Sequence, residues 1–318
     1  MTEIRTPKTQ LLISDNGTLY HIDLKRRDDV PKNILLVGAA SRVDQIAEQF
    51  DCVDFRNRNK ARPEFYIVAG KYKNIPVAAF SIGIGVDNVE IVINELHALF
   101  EYDPDSNSWS EQKPEVNIVR IGTCGTSLPS VNVGDLAISS YSIGLDNLAA
   151  YYCSPNRDNY SEKMIELEFS KTKIGKINPH AYCSSASPVV ISALKNSAIK
   201  YQIGSSFVGI TTASPGFYAP EGRQIGRLKA SLSSEDFLST IQSFSVNGYR
   251  IINHEIETSI LFRLGYELLE YNVGAICLVL DNLATNELLD HAEGKKLMDN
   301  CIQIALDSLV TLSNQKPH

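Results

Sequence analysis

The sequence predicts an α/β protein built as three layers, a mainly parallel sheet between two layers of helices. Three observations carry that expectation: continuous apolar runs such as Asn33–Val37 and Val116–Ile121, stretches of helical apolar spacing between them, and glycines at the junctions. Strands covered on both faces read as unbroken apolar runs, and the helices that cover them keep one apolar face.

The elements follow in order. Leu11–Leu24 alternates around Asn16-Gly17, a type I′ turn signal, which predicts a hairpin of two short strands. This hairpin makes residues 1–30 an extension of the same domain that occupies 31–318. Asn33–Val37 is a strand, and Gly38 leads into a helix that Ser41 can cap. Phe65–Tyr72 and Ile75–Ser81 are strands split by a Lys73-Asn74 turn. Gly83 and Gly85 precede a helix with apolar residues at 89, 92, 93, 96, 99 and 100. Residues 103–115 read as a polar loop, Val116–Ile121 as a strand ending at Gly122, and Gly134–Ser139 as another. The polar stretch 154–187, with a weak helical pattern near 161–170, reads as a surface excursion. Pro188 behind Ser187 opens a helix to about residue 201, Phe207–Thr212 is a strand, and 214–223 is a Gly- and Pro-rich loop. Ser233–Asp236 resembles a capping box before a helix at 234–247, and helices near 256–270 and 292–312 flank a strand at 273–280.

Composition bounds the function. At roughly 150 residues per domain, 318 residues suggest two domains, but no linker or repeat divides them, so one is expected. With 43% hydrophobic and 21% charged residues the chain is an ordinary globular one, outside the disordered and low-complexity classes. A net charge of −7 supplies no basic field for nucleic acid or an anionic membrane. The longest apolar run, 273–280, is far short of the ~20 residues of a membrane span, and the N-terminus has no basic head before an apolar core, so a cytoplasmic location is expected. Six cysteines without a C-x-x-C pair argue against a disulfide framework or zinc ribbon, and five of them read as structural.

Ligands of open α/β sheets bind beyond the carboxyl ends of strands, where helix N-termini present free N–H groups. Three such ends carry polar residues: Gly38 with Arg42, Arg120–Gly125, and Asn253–Glu257. Arg120 is the sharpest signal, because an arginine inside the apolar run NIVRI requires a carboxylate or a bound anion. A structural salt bridge to a residue such as Asp135 would satisfy it equally.

In order, RIGTCG (120–125), GFYAPEGR (216–223) and HEIET (254–258), with LYHIDL (19–24), VGAASRV (37–43) and SIGIGVDN (81–88), resemble the uridine phosphorylase branch of the nucleoside phosphorylase family. The resemblance runs from about Leu19 to Leu312. It implies a single-domain α/β fold with a mixed, barrel-like central sheet surrounded by helices. It also implies a homodimer, or a hexamer built from dimers, with sites shared between subunits. The implied reaction cleaves a nucleoside with inorganic phosphate as co-substrate, giving free base and pentose 1-phosphate, without metal or cofactor.

By that resemblance Gly38, Arg42, Arg120 and Thr123 hold phosphate, with Arg62 (or Arg58) added by the neighbouring subunit. Ribose falls to Glu257, Ile256, Thr123 and the neighbour's His21, and the base to Cys124, Gly125, Phe217, Glu221, Arg223 and Asp281. Arg120, Glu257 and Arg223 are the implied catalytic residues. A carboxylate can accept from both hydroxyls of a cis-diol, and a guanidinium suits the charge developing on a departing base. Taken singly, Glu257 reads as a helix-start carboxylate, His21 as a half-buried strand histidine, and Arg223 as a surface arginine.

The sequence departs from the family at several points. GAASR stands for GDPxR, Pro63 interrupts the Arg-Glu-Phe run, Ile256 stands for Met, and Cys124 for Thr or Ser. Glu221 stands for the Gln of uridine phosphorylases, and Asp281-Asn282 for Asn-Arg. An Asp at 281 resembles the purine branch, where it protonates N7, although no assisting arginine matches near Lys295-Lys296. Uridine is therefore the first expectation, with a purine nucleoside phosphorylase using Asp281, or a non-catalytic nucleoside-binding relative, as alternatives.

Overall fold

The computed structural model describes residues 6–7, 9–155, 159–201 and 205–314. The first half contains strands β1 (Asn33–Val37), β2 (Cys52–Arg58), β3 (Phe65–Tyr72), β4 (Ile75–Ile82), the two-residue pair β5 (Tyr102–Asp103) and β6 (Ser108–Trp109), β7 (Asn117–Thr126) and β8 (Leu136–Gly144). Helices α1 (Ala40–Ala47) and α2 (Val86–Glu101) lie among them. The second half contains α3 (Tyr160–Ser170), α4 (Lys173–Ile177), β9 (Tyr182–Ser185), α5 (Pro188–Tyr201), β10 (Ser206–Ala213) and α6 (Ser234–Ser243). It ends with β11 (Ser245–Val246), β12 (Tyr249–Glu255), α7 (Thr258–Leu261), β13 (Asn272–Asn282), β14 (Glu287–Leu288) and α8 (His291–Ser313).

Strands β12, β10, β8, β13 and β7 run side by side, and β12 meets β7 through a His254–Gly125 pair, which closes them into a mixed five-stranded barrel. Strands β1, β4, β3 and β2 extend the sheet outward from β7. Alternate residues of this extension enter two cores. Ile34, Leu36, Ile67 and Phe80 pack under α2 and α7, while Leu35, Val37, Val68 and Ala79 pack under α1 and α8. The predicted α/β layers and the barrel-like sheet are both present.

Several local expectations are met: β1 and β3 have the predicted limits, Lys73 and Asn74 both take positive φ, Pro188 starts α5, and the Ser233 side chain accepts from Asp236 N–H. Others are corrected. The hairpin at Leu11–Leu24 is a single Ile13–Leu19 bridge. Of the Asn16-Gly17 pair only Gly17 has positive φ, and the Asn16 carboxamide accepts from Ser14 and Thr18. Ser41 lies inside α1, whose N-cap is Ala39, so no side chain caps that helix. β7 continues through Gly122–Thr126 because β13 and β12 pair with it there. β2, β9 and β12 were not anticipated, their alternation being masked by exposed or small polar residues. The helix expected at 256–270 is one α turn followed by a π-helical stretch, Phe262–Leu268, in which Gly265 lies too close to Val273 for a side chain. Among the described residues no helix is long and apolar enough to cross a membrane.

Asp307 ties α8 to two other elements. Its buried carboxylate accepts from the hydroxyls of Tyr72 (2.9 Å) and Tyr201 (2.7 Å), and from the ammonium groups of Lys73 and Lys200. Against the upward push of burial, these donors hold its pKa below the usual carboxylate range. The stabilisation is therefore complete above about pH 4, the unfolded value, and is lost as pH falls through the lower folded value. Asp307→Asn should lower unfolding free energy at pH 7 by about 1–3 kcal/mol and flatten the loss of stability on acidification, as measured by urea unfolding from pH 7 to 3. An unchanged acid limb would show that this cluster does not set it.

Candidate active site

Strand β7 assembles the site through its registers. Beside β1 it sets Val37 opposite Ile121, beside β13 it sets Asp281 opposite Gly125, and its bridge to β12 sets His254 opposite the same glycine. The three segments singled out in the sequence therefore converge at one end of the sheet. They surround a cavity of about 640 Å³. Gly38 and Arg42 line it from the β1–α1 junction, Arg120, Thr123, Cys124 and Gly125 from β7, and Phe217 and Glu221 from the loop after β10. Ile256 and Glu257 come from the junction between β12 and α7, and Asp281 from β13.

At one end sits Arg120, 5% exposed. Its guanidinium contacts Glu257 Oε2, lies 3.2 Å from Glu255 Oε2, and donates to Cys277 Sγ at 3.4 Å. A Cβ at position 122 would collide with this guanidinium and sit 2.8 Å from Cys277 Sγ, so glycine is required there. Glu255 also accepts from Glu257 N–H, Thr258 N–H and the Thr258 hydroxyl, and Glu257 Oε1 accepts from Gly85 N–H at 3.0 Å. The structural salt bridge that the sequence allowed, with a residue such as Asp135, forms instead with Glu255 and Glu257. Burial pushes the Glu255 carboxyl up to about 7, opposed by the Arg120 charge and reinforced by Glu257. Burial, with the neighbouring Arg120 charge adding to it, lowers the pKa of Arg42, whose Nη1 has a 3.4 Å contact to Ile121 O. Two guanidiniums, one of them paired with Glu255 and Glu257, thus stand beside the uncapped N-terminus of α1, and such groups can hydrogen-bond an anion.

The other end carries Glu221, which is 2% exposed, in the 3-10 turn Ala219–Glu221. Arg223 contacts Glu221 Oε2 at 3.2 Å and Asp281 Oδ2 at 2.9 Å, with its guanidinium carbon 4.2 Å from the centre of the Phe217 ring. Arg223 itself stands behind the lining. The half-exposed Phe217 ring lies at the mouth with Ile84 and Leu288. The arrangement offers a flat aromatic face and charged hydrogen-bonding groups to a planar polar ring.

His21 and Arg62 lie elsewhere, near each other. Asn59 accepts from Arg62 N–H and donates to His21 O, and Arg62 lies over the Tyr20 ring. His21 Nδ1 is 2.5 Å from Glu95 Oε1, and Arg58 stacks on Tyr66. Sequence reasoning missed Glu255, His254 and Cys277. The first two were within the quoted HEIET motif, but without the β12 assignment nothing signalled that Glu255 and Glu257, two residues apart, reach the same arginine. Among the described residues, no group of three or more His, Cys, Asp or Glu could hold a metal ion.

Residues 32–312 match the phosphorylase superfamily. A uridine phosphorylase of Thermococcus kodakarensis is 25% identical over 86% of this chain and 81% of its own length. A DeoD-type purine nucleoside phosphorylase of Buchnera aphidicola is also 25% identical, over 91% of this chain and 98% of its own. A Trypanosoma brucei nucleoside phosphorylase, whose crystal structure is described as showing uridine phosphorylase activity, superposes with a TM-score of 0.85 at 29% identity. That match covers 95% of this chain and 99% of the other.

Arg120→Ala would remove the charge that opposes burial at Glu255, so this carboxyl would keep its proton to still higher pH. A carboxyl with a raised folded value costs stability as pH rises above its unfolded value of about 4.3, and the cost is complete above the folded value. The variant should therefore be less stable than the parent by roughly 3–5 kcal/mol at pH 8 and by clearly less at pH 5.5, measured by urea unfolding at both. An equal deficit at the two pH values would show that the carboxylates are not charged against each other.

Proposed function

The chain belongs to the phosphorylase superfamily, and on that premise we propose that it is a phosphate-dependent nucleoside phosphorylase acting on uridine, giving uracil and ribose 1-phosphate. The observation that carries this reading is the pairing of the two ends of one cavity: Arg42 and Arg120 beside α1, and Phe217 and Glu221, backed by Arg223, at the opposite end. Cleavage makes C1′ cationic while the glycosidic electron pair leaves with the base. Phosphate held below the sugar supplies the oxygen that bonds to C1′, and a charged group beyond the base disperses the departing negative charge.

Each residue then has a task. Gly38 N–H, Arg42 and Arg120 hold phosphate, and Thr123 donates to phosphate or ribose. Arg120 has five donors, so it can take an anion and keep Glu255. Glu257 accepts from the 2′- and 3′-hydroxyls, and Ile256 packs on the sugar face. Cys124 and Gly125 border the base, Phe217 stacks on it, and Arg223 serves O4 after exchanging one of its two carboxylates. His21 and Arg62, held together on one surface, belong to the site of a second copy in a homo-oligomer built from dimers. No metal or cofactor is needed, since arginines handle the charge.

One observation favours a purine as a second substrate class. Asp281 Oδ2 accepts from Arg223 at 2.9 Å, which gives this carboxyl the arginine partner that the sequence did not reveal. In that reading Asp281 supplies a proton to the purine N7.

Incubation of uridine, inosine and guanosine with the protein should release base only when phosphate or arsenate is present, with uridine preferred. Equal release in phosphate-free buffer would defeat the reading, and release from a purine nucleoside alone would transfer it to Asp281. Inactive His21→Ala and Glu257→Ala subunits, mixed under exchange conditions, should regain part of the parental activity, because one site of a mixed dimer carries neither defect. Confirmed exchange without recovery would defeat the shared site.

A further inference from the structure

His254 is a buried histidine to which the proposed chemistry gives no task. Its side chain is 1% exposed, it lines the cavity, and its ring meets Phe237 edge-on at 5.3 Å between centres. Nδ1 lies 3.2 Å from Glu221 Oε2 without hydrogen-bond alignment, and neither ring nitrogen has a hydrogen-bond partner among the described residues. Gly125, paired with His254 across the barrel closure, leaves the ring room. A Cβ there would collide with His254 Cε1 and come within 2.9 Å of Asp281 Oδ1. A buried polar ring left unpaired beside a cavity costs stability unless an occupant satisfies it.

The occupant follows from counting donors. Uracil presents N3–H between two acceptor carbonyls, O2 and O4. Glu221 can accept from N3–H but, when ionised, has nothing to donate to O2, whereas a glutamine would have both. The surrounding charges are two carboxylates, Glu221 and Asp281, against one guanidinium, Arg223. His254, with Nδ1 3.2 Å from Glu221 Oε2, brings a ring N–H donor to a pair of carboxylates that have none.

We propose that His254 is a specificity-determining residue that donates to uracil O2, so that the Glu221–His254 pair performs the work of a single glutamine amide. This rests on the uridine reading above. It makes the Gln-to-Glu difference at position 221 one half of a two-residue exchange, in which the carboxylate accepts from the base and the imidazole donates to it.

The test is a cycle of His254→Leu and Glu221→Gln, read as kcat/KM for uridine at saturating phosphate. In the parent, His254→Leu should cost about ten- to hundredfold. In the Glu221→Gln background, where the amide supplies its own donor, it should cost less than about threefold. The same loss in both backgrounds, or no loss in either, overturns the proposal. Because His254→Leu can also weaken packing, the unsubstituted protein provides a second measurement. It should cleave 2-thiouridine, whose sulfur is a poor acceptor, at least about tenfold less efficiently than 4-thiouridine, and equal acceptance overturns the proposal. His254→Gln, which keeps a donor on a side chain of similar reach, should retain more activity than His254→Leu. A protein that releases no uracil from uridine at all defeats the underlying functional reading, an outcome distinct from active protein indifferent to position 254.

Discussion

The buried contact of Arg120 with Glu255 and Glu257 is the interaction on which the rest of the site depends. A guanidinium inside the central strand of a sheet is tolerated only with countercharges that are themselves fixed, and here every element around it contributes to fixing them. The bridge between Gly125 and His254 brings β12 to β7, the Thr258 backbone and hydroxyl hold Glu255, and the N–H of Gly85 holds Glu257 from the start of α2. Barrel closure and charge placement are thus one constraint. Without the bridge the carboxylates have no route to the arginine, and without the carboxylates the arginine has no reason to be buried.

The same principle recurs at the other end of the cavity. Arg223 lies between Glu221 and Asp281 and against Phe217. Both ends therefore carry cations matched to protein carboxylates. Those carboxylates sit on β12, just after it, on β13 and in the short turn before Arg223.

The outer sheet and helices serve this centre indirectly. β1 runs parallel to β7 and ends at Gly38, so the uncapped start of α1 faces the same cavity as Arg120. The absence of a side-chain cap, which weakens an isolated helix, leaves its first N–H groups open to that cavity. His21 and Arg62, by contrast, are anchored away from the cavity by Glu95 and Asn59.

Much of this was legible in the sequence. Strands covered on both faces, such as β1 and β3, announced themselves because burial on two sides demands unbroken apolar runs, and the ordered motifs named the segments that meet at the cavity. Alternating composition did not reveal β2, β9 or β12, and with β12 unseen the partnership of Glu255 with Arg120 stayed hidden. Local sequence determined which stretches could be strands and helices, and which residue types could hold an anion, a diol or a planar ring. Tertiary structure alone decided that Arg120 meets Glu255 rather than Asp135, that Arg223 lies against Asp281, and that His254 faces Glu221. Those pairings join residues 135, 58 and 33 positions apart. Registers across a closed barrel set them, and no local period in the chain encodes a register between strands so far apart.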